Sequence, residues 1–123
     1  MERPLSGRAI LIIEDDVLVA LDIQQALEEQ GAKTTTARTV AAALVSIEDH
    51  ALSAAIVDHA LGDGDSSVLC QLLKERDVPF ITYSGYTNLD GACAGTTHLT
   101  KPTSGSQVAS TMKEMLAQRN PSN

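Results

Sequence analysis

The chain has 123 residues, with 9 Lys and Arg against 16 Asp and Glu, for a net charge of −7 at pH 7. That length is one domain, able to bury about two-thirds of its unfolded surface without staples. The acidic balance is the reverse of a nucleic-acid binder's basic face and of a surface drawn to anionic membranes, but it admits a metal cation or a basic partner.

No apolar run approaches the length of a membrane span, and the N-terminus lacks the layout of a signal peptide, so a cytoplasmic location is expected. Cys70 and Cys93 are far apart and belong to no Cys-x-x-Cys pair. Reduced thiols are therefore expected rather than a disulfide or zinc site, with Cys70 in the core and Cys93 exposed in a loop. The aromatic residues are Phe80, Tyr83 and Tyr86 alone, so the core is aliphatic.

Two kinds of segment alternate along the chain. The run Ala9-Ile10-Leu11-Ile12-Ile13 ends abruptly in acids and reads as a strand buried on both faces. Apolar residues at helical spacing follow from Val17 to Gln30, and Gly31 closes that helix. Residues 33–37 are Thr-rich and form a weaker strand. A helix over 39–49 starts at Thr39 as N-cap. Ala54-Ala55-Ile56-Val57 is a second buried strand ending in Asp58. A turn-forming stretch, residues 61–65, leads to a helix over 66–76 capped by Asp65 or Ser66. Strands over 79–83 and 98–100 follow, then a helix over 107–119 with Val108, Met112, Met115 and Leu116 facing inward. Residues 87–97 have poor helix propensity and are expected to hold a turn or two at most. This is five β–α units with a weak fourth, the pattern of a parallel sheet with helices on both faces. The domain is expected over 8–119, with 1–7 an N-terminal extension, 120–123 a tail, and no effector domain.

In such a sheet, sites form beyond the carboxyl ends of the strands. The first strand delivers Glu14-Asp15-Asp16, the third Asp58, the fourth Ser84, and the fifth Lys101-Pro102. Acids after a strand are often no more than a solvated helix start. Acids, a hydroxyl and a Lys arriving at one edge from four strands are a different matter. Crowded carboxylates need a cation, and hard oxygen ligands suit Mg²⁺. A carboxylate beside Mg²⁺ can accept a phosphoryl group, whose oxygens a Lys and a hydroxyl can hold.

These residues, in this order and with equal steps of 43 from Asp15 to Asp58 and from Asp58 to Lys101, resemble the receiver (CheY-like) domains of two-component response regulators. The resemblance covers about residues 8–119. It implies a flavodoxin-like (βα)5 fold, a doubly wound parallel sheet of order 2-1-3-4-5, here with a shortened or irregular fourth helix. Asp58 would be the phosphoacceptor. Glu14, Asp15, Asp58 and the backbone carbonyl of Ala60 would hold Mg²⁺. Ser84 and Lys101 would contact the phosphoryl group, and a cis peptide would precede Pro102. Ser84, His98 and Tyr86 are the switch candidates, His98 standing where many receivers have Tyr or Phe. The run from Pro79 to Tyr86 is similar to the Pro-Phe-x-Phe-Ala-Thr-Gly-Tyr stretch of an alphaproteobacterial subgroup, whose kinases are of the HWE or HisKA2 type.

The expected function is a stand-alone response regulator that is phosphorylated by a histidine kinase and is not otherwise an enzyme. It would catalyse its own phosphotransfer and dephosphorylation, and would signal through protein contacts or drain phosphate from a shared kinase. Neither nucleic acid nor membrane is an expected partner. A phosphorylation-independent interaction module is the alternative. A haloacid-dehalogenase-like phosphatase would need a second Asp where Ala60 stands. A nucleotide-binding module would need a glycine-rich loop where Glu14-Asp15-Asp16 stands.

Overall fold

The computed structural model describes residues 3–49, 51–58, 66–84, 93, 97–101 and 103–119. Five strands, β1 (Ala9–Ile13), β2 (Lys33–Ala37), β3 (Ala54–Asp58), β4 (Phe80–Ser84) and β5 (Thr97–Thr100), alternate with α1 (Val17–Glu29), α2 (Val40–Asp49) and α3 (Ser67–Glu75). The described elements end with α4 (Gly105–Arg119). The strands form one parallel sheet of order β2-β1-β3-β4-β5, the doubly wound arrangement expected from the alternation. The segment expected to hold a weak helix, 87–97, lies outside the described residues apart from Cys93 and Thr97, as does the turn at 61–65.

Side-chain alternation along the strands divides the core in two. On one face Ile10, Ile12, Ile56, Ile81 and Tyr83 pack against Ala20, Ile23 and Leu27 of α1 and Val108, Met112 and Leu116 of α4. On the other, Leu11, Ile13, Ala55, Val57 and Phe80 pack against Ala43 and Ile47 of α2 and Leu69, Cys70 and Leu73 of α3. A strand buried on both faces has no room for a polar position, which is why β1 and β3 read as unbroken apolar runs.

The helix boundaries have local causes. Asp16 caps α1 by accepting from the N–H groups of Leu18 and Val19, and Thr39 caps α2 by accepting from Ala42 N–H. Ser66 precedes α3 without a side-chain capping bond. At the end of α1, Ala32 N–H reaches the Leu27 carbonyl and Gly31 N–H the Glu28 carbonyl, with Gly31 at φ +98°. This is the paired closure that calls for glycine. A Cβ at Gly31 would also meet Ser6 Oγ at 2.7 Å. The same closure ends α3, where Asp77 takes the left-handed position at φ 57°.

Two readings, of the cysteines and of Leu5, need correction. Cys70 and Cys93 are joined in a disulfide, with Cα atoms 5.3 Å apart, and Cys93 is buried rather than exposed. Both belong to the core layer under α2 and α3, a proximity that a sequence separation of 23 does not reveal. Val17, Leu18 and Leu21 match the helical period of α1 but are exposed, because Ala20, Ile23 and Leu27 form the face that meets the sheet. Leu5, placed by the sequence in the extension 1–7, is fully within the first core layer, and its N–H donates to the Gln30 carbonyl at 2.8 Å.

Truncating a buried Leu removes transfer energy and leaves a cavity, so Leu5→Ala is expected to cost about 2–4 kcal/mol in urea denaturation. A residue in a loose extension would cost nothing measurable.

Candidate functional site

The sheet order makes β1 and β3 neighbours while their following connections leave to opposite sides, which opens a crevice at their carboxyl ends. Glu14 leaves β1 there, and Asp58 is the last residue of β3. A cleft of ≈ 560 Å³ is lined by Glu14, Asp15, Asp16, Val19, Asp58, Tyr83, Lys101 and Thr103. Sequence reading placed Glu14, Asp15, Asp58 and Lys101 at this edge, and the structure brings all four together.

Each acid of the first group has its own task. Asp16 is spent on capping α1. Asp15 is exposed, whereas Glu14 and Asp58 are buried, and ligand oxygens of Glu14, Asp15 and Asp58 all lie within 4.8 Å of one another. Glu14 is gripped at both oxygens: Asp16 N–H donates to Oε2 at 2.9 Å, and the Tyr83 hydroxyl donates to Oε1 in a buried bond. Lys101, just past β5, donates from Nζ to Asp58 Oδ1 at 3.0 Å. That ammonium also lies 4.9 Å from the centroid of the Tyr83 ring, within reach of a cation–π attraction.

The electrostatics are unbalanced. Burial raises the Glu14 carboxyl from 4.5 to about 8, and the neighbouring Asp58 and Asp15 push in the same direction against the lowering pull of Asp16 N–H. A carboxylate that resists ionisation beside two others is a site short of positive charge. Three hard oxygen donors with one exposed side suit a small divalent cation that keeps part of its water, which is the chemistry of Mg²⁺. The residues present therefore fit that ion.

The other expected site residues fare differently. Ser84 ends β4 opposite Thr100 of β5, but its side chain lies outside the described residues. Ala60, Tyr86 and Pro102 lie outside them as well, with the carbonyl ligand, the switch and the cis peptide assigned to them. His98 is half-buried on β5, with Nδ1 3.0 Å from Thr82 Oγ1.

Sequence reading missed two cleft residues. Tyr83 belongs to the first core layer, and its register opposite Asp58 and its parity with Ile81 carry its hydroxyl to Glu14. Thr103, two residues beyond Lys101, has a buried Oγ1 with no hydrogen-bond partner among the described residues. The parity of Tyr83 was readable once the strand register was known. Nothing in the sequence marks Thr103.

Because the folded-state value of Glu14 is raised, folding keeps a proton that the unfolded chain releases above about pH 4.5. Without metal, this group's contribution is complete below that pH and is lost as the pH rises through about 8. Chemical denaturation across that range should show stability falling with pH, and Glu14→Gln should flatten the slope. An unchanged slope in the variant would contradict the assignment.

Comparison with known proteins agrees with this geometry. Residues 10–113 match the response regulator receiver domain family. The chain is 26% identical over 114 residues to the photosynthetic apparatus regulatory protein RegA of Rhodobacter capsulatus, covering 87% of this chain and 62% of that protein. It is 27% identical over 110 residues to RegA of Cereibacter sphaeroides, covering 84% of this chain and 60% of that protein. It thus spans about three-fifths of the length of the curated relatives it matches. Among solved structures, a CheY-like receiver domain protein from Methanospirillum hungatei JF-1 superposes with a TM-score of 0.83 at 27% identity, over 94% of this chain and 98% of that one. With its doubly wound sheet, its acidic cleft and a family match over most of its length, the chain belongs to the response regulator receiver domains.

Proposed function

We propose that the chain accepts a phosphoryl group from the phosphohistidine of a histidine kinase onto the carboxylate of Asp58. The observation that carries this reading is the Asp58–Lys101 pair at the floor of a cleft whose other wall is Glu14 and Asp15. A carboxylate oxygen of Asp58 attacks phosphorus. The new O–P bond forms as the N–P bond breaks, and the electron pair of that bond stays on the imidazole nitrogen. Lys101, already on Asp58, neutralises the phosphoryl oxygens as they arrive. Glu14, Asp15 and Asp58, with the carbonyl of Ala60, would hold Mg²⁺, which when bound would offset negative charge on the transferring group. The Ser84 hydroxyl would donate to a phosphoryl oxygen and carry the change to the surface. The output is a protein contact, or withdrawal of phosphate from a shared kinase.

The exposed side chains of α1 support the choice of a protein donor. A kinase histidine must approach within bonding distance of Asp58, so the kinase surface must cover the rim of the cleft. Val17, Leu18 and Leu21, 54%, 76% and 45% exposed, present an apolar turn directly after the acids of that rim. Exposed apolar side chains grouped in this way mark a contact surface.

Incubation with a small phosphoryl donor and Mg²⁺ is expected to add one phosphoryl group to the native chain and none to Asp58→Asn, read by intact mass. Full labelling of the variant would overturn the assignment.

The second expectation separates chemistry from docking. Leu18→Ser is expected to leave labelling by the small donor unchanged and to slow transfer from the kinase by about tenfold, as loss of a well-placed interface side chain costs about 1–2 kcal/mol. Equal slowing with both donors would place Leu18 in the fold of the site rather than in the docking surface.

A further inference from the structure

The Cys70–Cys93 pair lies outside the phosphoryl-transfer cleft, and the proposed chemistry makes no use of it. We propose that it is a reversible two-electron redox site, taking low-molecular-weight disulfides and thiols as its reactants, and that its oxidation slows phosphorylation at Asp58. The second half rests on the reading of Asp58 as phosphoacceptor.

Placement is the first argument. Cys70 lies in the buried face of α3, and Cys93 precedes β5 in the chain. Their Cα atoms are 5.3 Å apart, within the span a disulfide needs, and both side chains are buried in one core layer with Leu69, Leu73, Phe80 and Val57. No backbone rearrangement is needed to make the bond.

The second argument is that the reduced state is also provided for. A buried thiol without a partner would penalise reduction. Here the Cys93 sulfur sits 3.7 Å from the Ser66 carbonyl and 4.0 Å from Ser66 Oγ, so a Cys93 thiol has acceptors in place. Cys70 as a thiol packs as a small apolar side chain among the Leu residues around it. Neither state leaves a buried polar atom stranded.

The third argument concerns what the bond ties together. Residue 93 lies on the connection between two strand ends of the site, Ser84 at the end of β4 and Lys101 just past β5. The closed loop, with a sequence separation of 23, contains all of β4. In the oxidised chain, residue 93 cannot leave α3; in the reduced chain, no covalent bond ties it there, and it is held by packing and by the contacts of its sulfur with Ser66. Val57, one residue before Asp58, belongs to the same core layer as both cysteines. The bond thus constrains the chain between two strand ends that the proposed chemistry uses.

The exchange balances. Both sulfurs are buried in the closed chain, so exchange runs through local opening: the exposed thiolate of one cysteine attacks a sulfur of oxidised glutathione, forming a mixed disulfide and releasing one glutathione thiolate. The second cysteine's thiolate attacks the protein sulfur of that mixed disulfide, forming the Cys70–Cys93 bond and releasing the second glutathione. The two protons lost by the cysteines end on the two glutathione thiols. The protein loses two electrons and the reagent gains them.

The test uses the full chain equilibrated in glutathione buffers from fully reducing to fully oxidising. Alkylation and intact mass count the thiols, and uptake from a small phosphoryl donor with Mg²⁺ is timed in the same samples. The count is expected to pass from two thiols to none in one step, and the oxidised chain is expected to phosphorylate about fivefold or more slowly, the lower end of ordinary coupling between sites. Cys70→Ala and Cys93→Ser are each expected to show the reduced rate in every buffer. Two thiols in all buffers, or accumulation of glutathione adducts in place of the internal bond, would overturn the redox site. A one-step count with equal rates in both states would overturn the coupling. A one-step count with no phosphoryl uptake in any sample would leave the redox site standing and would overturn both the coupling and the reading of Asp58.

Discussion

The site depends on the crowding of carboxylates where β1 and β3 end. Glu14 and Asp58 are buried, Asp15 stands beside them, and Lys101 is in direct contact with Asp58. Glu14 shows the cost of this arrangement in its reluctance to ionise. Carboxyl groups stay at this spacing because both strands are locked in the centre of the sheet, buried on both faces and paired residue for residue. The rigidity of the sheet maintains the demand for a cation at the cleft, and that demand makes the cleft a place to receive a charged group.

The outer elements are arranged to keep Lys101 in reach. β5 sits at the sheet edge and is only half-buried. Its position is fixed partly from the far side, where α4 begins at a close approach to α1. Gly105 N–H donates to Asp22 Oδ2 at 2.7 Å, and a Cβ at Gly105 would come within 2.4 Å of the Asp22 carbonyl oxygen. Glycine is therefore required at that point, and α1, which starts from the acidic cap, also anchors the chain that carries Lys101. The Tyr83 hydroxyl on Glu14 and its ring beneath Lys101 join the acid pair to the base through a single side chain.

Much of this was legible in the sequence because the acids and the Lys terminate apolar runs, and a strand buried on both faces announces both its extent and its end. The period of each helix was equally plain. What stayed hidden depends on contacts between elements. The side of α1 that faces the sheet could not be told from spacing alone, since Val17, Leu18 and Leu21 keep the same period as the buried set. Leu5 stands in a stretch without pattern, and its burial follows from a backbone bond to the end of α1. The cysteine pairing and the part played by Thr103 required three-dimensional placement. Tyr83 lies between these cases, since its face of the sheet was readable but its hydrogen-bond partner was not.

The most direct test of the account is where the acyl phosphate forms. After incubation with a small phosphoryl donor and Mg²⁺, borohydride reduction converts an aspartyl phosphate to homoserine, and peptide mass spectrometry locates it. The account predicts homoserine at position 58 and nowhere else. Homoserine at position 15 or 16, or a phosphoryl group that resists borohydride and sits on a hydroxyl, would contradict it.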